Sequence, residues 1–163
     1  MQKMIVIDIE QCTGCGACEL ACSFKHNAEF NPTKSRIHQT TFLLQSMAVP
    51  VVCYQCRKPW CAESCPEEAI SIEKDPKGGV ALVVVDQDEC VGCGVCVPAC
   101  PFGCIVLSED DVAEKCELCN GDPECVRVCR TGAIRFDTPY AGVMAKKKNV
   151  AERLLSSYQE GRA

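Results

Sequence analysis

Aromatic residues are scarce in this chain: one tryptophan, three tyrosines and five phenylalanines, 6% of 163 residues. A core filled by large apolar side chains alone would be thin. No apolar run has the length needed to cross a bilayer, so we expect no membrane insertion. The opening MQKMIVIDIEQC has no basic stretch leading into a long apolar one and no twin arginine, so we expect no secretory leader and a cytoplasmic location. Cationic blocks are missing apart from Lys146-Lys147-Lys148, and the formal net charge is −5, a poor match for nucleic acid. There is no nucleophile–base set, no phosphate loop and no open catalytic metal pattern, so catalysis by this chain alone is not expected. The two histidines, His26 and His38, stand apart, without the spacing of metal ligands.

What the chain has instead is cysteine, 17 residues of 163. In a reducing compartment such a density points to metal rather than to disulfides. Sixteen of the cysteines fall into four blocks: Cys12, Cys15, Cys18, Cys22; Cys53, Cys56, Cys61, Cys65; Cys90, Cys93, Cys96, Cys100; and Cys116, Cys119, Cys125, Cys129. Blocks one and three share the spacing C-x2-C-x2-C-x3-C, and DIEQCTGCGACELACSF (8–24) aligns on DQDECVGCGVCVPACPF (86–102) without a gap. Blocks two and four are looser, and CYQCRKPWCAESCPEEAISI (53–72) aligns on CELCNGDPECVRVCRTGAIRF (116–136) with one inserted residue. A tight block followed by a loose block is thus repeated once, as a doubled ancestor would leave it.

The tight spacing suits a [4Fe-4S] cube. Three cysteines on a short loop can wrap three corners, while the fourth begins a helix, points away and ligates a neighbouring cluster. Gly14, Gly16, Gly92 and Gly94 lie inside these wraps, where positive φ and close backbone approach are needed. Zinc is the alternative, since sixteen thiolates could hold four tetrahedral ions, but zinc sites pair C-x2-C doublets rather than repeat triplets. β-Branched and apolar runs predict short strands at Met4–Ile9, Ile70–Glu73, Val80–Val85, Ile105–Leu107 and Ile134–Phe136, with a turn at DPKGG (75–79). Short helices should follow the last cysteine of each block.

These blocks resemble bacterial two-cluster ferredoxins, doubled. The span from Cys12 to Phe136 is similar to the four-cluster ferredoxin-like electron-transfer subunits of oxidoreductases, and KCELCNGDPECVRVCRTGAI (115–134) and KHN…NPTKSRI (25–37) resemble those of tungsten-dependent aldehyde oxidoreductases. The resemblance implies an α+β fold of two pseudo-twofold ferredoxin-like units. Residues 1–50 together with 105–140 would form the first, residues 51–104 the second, and residues 141–163 a C-terminal docking helix. It implies four [4Fe-4S] clusters, with block one exchanging a ligand with block four and block two with block three. One cluster would take Cys12, Cys15, Cys18 and Cys129, and its neighbour Cys116, Cys119, Cys125 and Cys22. A third would take Cys53, Cys56, Cys61 and Cys100, and the fourth Cys90, Cys93, Cys96 and Cys65.

The implied role is passage of single electrons between a catalytic oxidoreductase subunit, tungsten-containing on this resemblance, and a second redox subunit or carrier. Carbon monoxide dehydrogenase, hydrogenase and formate dehydrogenase are alternative partners; a free soluble polyferredoxin and a zinc or cluster-sensing protein are alternative roles. An oxidised cube with four thiolates carries about −2, so four add about −8 to the formal charge and favour a basic docking surface on the partner. In AKKKNVAERLLSSYQEGRA (145–163), Val150, Leu154 and Tyr158 share a helical face with Leu155 beside them, a surface for a catalytic subunit or a second copy. Cys104 has no block and reads as a small buried apolar residue. Trp60 reads as a shield over a cluster.

Two positions depart from the family's proline after the last cysteine of a block: Ser23, which could donate a hydrogen bond near a cluster, and Arg130. Arg130 puts a cation beside Cys129 and should favour the extra electron there. Arg130→Pro is expected to lower the potential of one cluster; an unchanged redox titration would refute this.

Overall fold

The computed structural model describes residues 3–74 and 81–160. In chain order its elements are β1 (Met4–Ile7), α1 (Ala17–Asn27), β2 (Ile37–Phe42), β3 (Met47–Val52), α2 (Trp60–Glu63), β4 (Ile70–Lys74), β5 (Ala81–Val85), α3 (Cys96–Ala99), β6 (Ile105–Leu107), β7 (Ala113–Lys115), α4 (Glu124–Arg127), β8 (Ile134–Asp137) and α5 (Pro139–Glu160). Small strands and helices mix, as in an α+β ferredoxin-like fold. Up to β8, the first half of the chain runs strand, helix, hairpin, helix, strand, and the second half repeats that order. The repetition seen in the cysteine blocks therefore extends to the elements around them.

The described strands pair antiparallel in four two-stranded sheets. β1 lies on β8 with Ile5 opposite Phe136 and Ile7 opposite Ile134, which brings the flanks of blocks one and four together. β4 lies on β5 with Ile70 opposite Val85 and Ile72 opposite Val83, which does the same for blocks two and three. These are the β-branched runs legible in the sequence, and such residues suit a half-buried pleated surface. The hairpins β2–β3 and β6–β7 fill the span between a tight block and the next loose one.

Burial divides between two groups. Ile5, Ile37, Val52, Leu82, Leu118 and Ile134 pack with Cys18, Cys22, Cys116 and Cys125. Ile70, Val83, Ile105 and Ala113 pack with Cys96. Cysteine thus takes a place in both cores that large apolar side chains would hold in an ordinary domain.

Several expectations need adjusting. The first strand stops at Ile7, because Asp8 turns the chain into a 3-10 turn. Val80 and the turn at 75–79 lie outside the described residues. The hairpin β2–β3 and strand β7 were not expected, since IHQTTF is largely polar, MAVPVV carries a proline and AEK is three residues long. The terminal helix begins at Pro139, earlier than expected, with proline at the first helical position where its missing N–H costs nothing. Val150, Leu154 and Leu155 on it are more than half exposed, and Arg153 ion-pairs with Glu10. Among the described residues no helix is long and apolar enough to cross a membrane.

Gly92 is held most tightly of the wrap glycines. Its φ is +70°, and an added Cβ would lie 2.6 Å from the Asp111 carbonyl oxygen. Gly103 has a similar φ, +62°, with nothing within 4 Å of such a Cβ. Gly103→Ala should cost about 1–2 kcal/mol, the left-handed penalty alone. Gly92→Ala should cost about 3 kcal/mol or more, because backbone must also move. Equal denaturant midpoints for the two variants would show that the loop yields freely at Asp111.

Candidate metal centres

Each of the first four helices places two cysteines four residues apart: Cys18 and Cys22 on α1, Cys61 and Cys65 on and just past α2, Cys96 and Cys100 at α3, and Cys125 and Cys129 at α4. Side chains four apart lie on one helical face, one turn above the other. Such a pair could share one site, but here its two sulfurs do not line the same cavity.

Cys12, Cys15 and Cys18 line a cavity with Cys129, about 1070 Å³ when counted to its open mouth. Cys53, Cys56 and Cys61 line another of about 340 Å³ with Cys100. Cys90, Cys93 and Cys96 line a third of about 340 Å³ with Cys65. Of the remaining block cysteines, Cys22, Cys116 and Cys125 are buried in the larger core. Burial pushes the Cys125 thiol up to about 12, and the neighbouring Cys22 and Cys119 add to the effect. In each of the three cavities three block cysteines come from one block and a fourth from another.

The loops that carry the first two cysteines of each block share a backbone feature. The second residue between them has positive φ: Gly14 at 71°, Gln55 at 50°, Gly92 at 70° and Leu118 at 61°. Glycine adopts this freely, whereas Gln55 and Leu118 are strained. Complete burial of Leu118 offsets its strain. Two hydrogen bonds offset that of Gln55, whose Nε2 donates to the Cys116 carbonyl at 2.6 Å and whose Oε1 accepts from the Val83 N–H at 2.8 Å. The sequence marks the glycine wraps but gives no sign of the other two.

The donor set fits iron–sulfur clusters. The two smaller cavities expose almost only apolar surface beside their sulfurs, and thiolates are soft ligands. Backbone N–H groups donate to sulfur from Arg36 to Cys22 (3.3 Å), Cys104 to Cys100 (3.4 Å), Ala113 to Cys90 (3.5 Å), Leu118 to Cys116 (3.4 Å) and Ile134 to Cys129 (3.4 Å). Donors of this kind tune cluster potentials. At Cys129 they decide the balance: burial pushes the thiol up, but the Ile134 N–H, the Thr131 hydroxyl and the N–H groups of Ala133 and Gly132 leave it lowered.

Charged neighbours were missed by sequence reasoning. Arg36 reaches Glu117 at 2.7 Å and Glu114 at 3.5 Å. His26, which reads as a lone histidine in the sequence, lies 3.4 Å from Glu117 and 3.8 Å from the Cys119 sulfur. Burial holds its imidazole below the ordinary value against the pull of Glu117. His38 lies 3.8 Å from Glu19 near the surface. Ser23 does not act as expected: its hydroxyl donates to the Leu20 carbonyl at 3.1 Å and accepts from the Asn31 N–H at 3.1 Å, fixing the chain after α1. Arg130 lines the cavity of Cys12, Cys15, Cys18 and Cys129. Trp60, half exposed, and Phe102 wall the cavity of Cys53, Cys56, Cys61 and Cys100 together with Tyr54, whose ring centroid is 4.6 Å from that of Phe102. Cys104 lines the same cavity and is only partly buried, so it is not the enclosed apolar residue expected.

Residues 44–139 match the family described as the 4Fe-4S dicluster domain, and residues 3–24 match the 4Fe-4S binding domain. The chain is 37% identical to the polyferredoxin-like subunit of an aliphatic sulfonate oxidoreductase of Pyrococcus furiosus, over 77% of this chain and 70% of that protein. It is 32% identical to the electron transport protein HydN of Escherichia coli K12, over 82% of this chain and 87% of that one. It is 34% identical over its whole length to UacF of Escherichia coli K12, of which it spans 26%, about a quarter.

The fifth cysteine at the Cys53 cavity allows a direct comparison. Cys100→Ala is expected to lower bound iron by about four per chain, one cube. Cys104→Ala should leave iron and sulfide unchanged. Equal losses from the two variants would make Cys104 a ligand.

Proposed function

The chain belongs to the 4Fe-4S dicluster ferredoxin-like family, and from that premise we propose that it carries single electrons through four [4Fe-4S] clusters between a catalytic oxidoreductase subunit and a second redox subunit or carrier. The observation that carries this reading is that three cavities are each lined by three block cysteines of one block and one of another, with Cys22, Cys116 and Cys125 buried together in the core. Blocks one and four would hold one pair of clusters and blocks two and three the other. Residues 1–50 with 105–140, and residues 51–104, would then be the two units, with the C-terminal helix as a docking element.

When bound, the clusters supply one-electron oxidation and reduction. The chain's own residues do the rest. The sixteen cysteines hold position, backbone N–H groups stabilise charge on sulfur, and Tyr54, Trp60 and Phe102 keep water from one cavity. Cys15 and Cys93 are the exposed members of their groups. Their cavities are therefore the natural points of entry and exit for electrons, the other two lying between.

For the catalytic partner we favour a tungsten-containing aldehyde oxidoreductase, on the resemblance of residues 115–134. The Pyrococcus furiosus relative supports the broader reading that such chains serve a catalytic subunit. The fourfold greater length of UacF favours a second reading, in which the same module works as part of a larger redox polypeptide.

Metal analysis of the complex that co-purifies with this chain without air tests both parts. About sixteen irons per chain with tungsten is the expected result. About eight irons would refute four clusters. Nickel in place of tungsten would move the partner to a carbon monoxide dehydrogenase or hydrogenase, and iron with no large partner would leave a free polyferredoxin.

A further inference from the structure

Lys115 ends β7 and is 4% exposed. Its Nζ donates to the Val83 carbonyl and, at 2.8 Å, to the Cys116 carbonyl. Among the described residues no carboxylate lies within ion-pair distance of it. A buried ammonium without a counter-charge is strongly disfavoured, and two carbonyl contacts alone could be met by a neutral amide. An ammonium has three N–H donors, and two are spent on these carbonyls.

The anionic surroundings of Lys115 are sulfur. Its side chain lines the cavity of Cys53, Cys56, Cys61 and Cys100, and the next residue, Cys116, belongs to the adjoining group. Gln55 bonds the same two residues, Val83 and Cys116, and so fixes the position of the ammonium between the groups. Among the described residues, the wall of the cavity of Cys65, Cys90, Cys93 and Cys96 has no such cation, and its charged side chain is Glu67.

We propose that Lys115 is an internal counter-ion of the electron path, a positioning residue that raises the potential of the cluster at Cys53, Cys56, Cys61 and Cys100 above that of its neighbour at Cys65, Cys90, Cys93 and Cys96. Electrons arriving at the exposed Cys93 end are thereby drawn inward, toward the second pair of clusters. This rests on the four-cluster reading of the cysteine groups.

The test compares the iron-loaded unaltered chain with Lys115→Met, Lys115→Gln and Lys115→Arg. Iron and sulfide are measured first, followed by potentiometric titration with electron paramagnetic resonance. A Cys56→Ser variant marks the signal of the affected cluster. Lys115→Met should keep its iron and make reduction of that one cluster at least about tenfold less favourable, 59 mV for one electron. Lys115→Arg should restore it. Full iron with every potential unmoved overturns the proposal. If Lys115→Met loses iron, Lys115→Gln decides: full iron with unmoved potentials makes the residue a plain hydrogen-bond donor and overturns the proposal, while one lowered potential supports it. Loss of iron from both neutral variants but not from Lys115→Arg supports a charge requirement; loss from all three assigns the residue to packing and overturns it. The iron content of the unaltered chain tests the four-cluster reading separately.

Discussion

The two cysteines of each helical pair, four residues apart, do not line the same cavity, so no block is complete by itself. Every other feature of this protein accommodates that fact. At α2 and α3 the paired sulfurs enter different cavities, at α1 and α4 one sulfur lines a cavity while the other is buried in the core, and each cavity is completed by a cysteine from another block. β1 on β8 and β4 on β5 bring those distant blocks into reach. Metal coordination would thus take over the long-range cross-linking that a larger apolar core performs elsewhere.

The same arrangement concentrates charge. Thiolates and cubes are anionic, and the chain is already acidic. The cations placed among them are few and each is held: Arg36 by Glu114 and Glu117, Lys115 by two carbonyls, Arg130 at a cavity wall. In a low-dielectric interior a single fixed charge acts on a nearby redox centre far more strongly than it would in water. Uneven placement of cations would give chemically similar clusters different potentials, and an array needs such differences to have a direction.

The left-handed backbone at Gly14, Gln55, Gly92 and Leu118 is a second common requirement, met in two ways. Glycine meets it without strain in the exposed tight wraps. Gln55 and Leu118 meet it in the interior, where burial and hydrogen bonds offset the conformational cost and the side chain also links neighbouring segments. The first loops of the loose blocks thus turn on a buried residue, whereas each tight wrap carries an exposed cysteine, Cys15 or Cys93.

Spacing along the chain determined a good deal: the four blocks, their repetition, the glycine wraps and the β-branched strands β1, β4, β5, β6 and β8, whereas the helices, expected after the last cysteine of each block, begin at or just before the third. These are local properties, fixed by backbone geometry over a few residues. The hairpin β2–β3 was not legible, because β2 is largely polar and β3 carries a proline, so that pairing rather than composition makes it a sheet. Nor were the roles of Gln55, Lys115, Arg36 and His26, or the loss of Ser23 as a cluster donor. What a buried polar group does depends on which carbonyl, carboxylate or sulfur arrives beside it from another part of the chain. Only the tertiary structure decides that, since the partners are brought together by strand pairing and cysteine grouping across tens of residues.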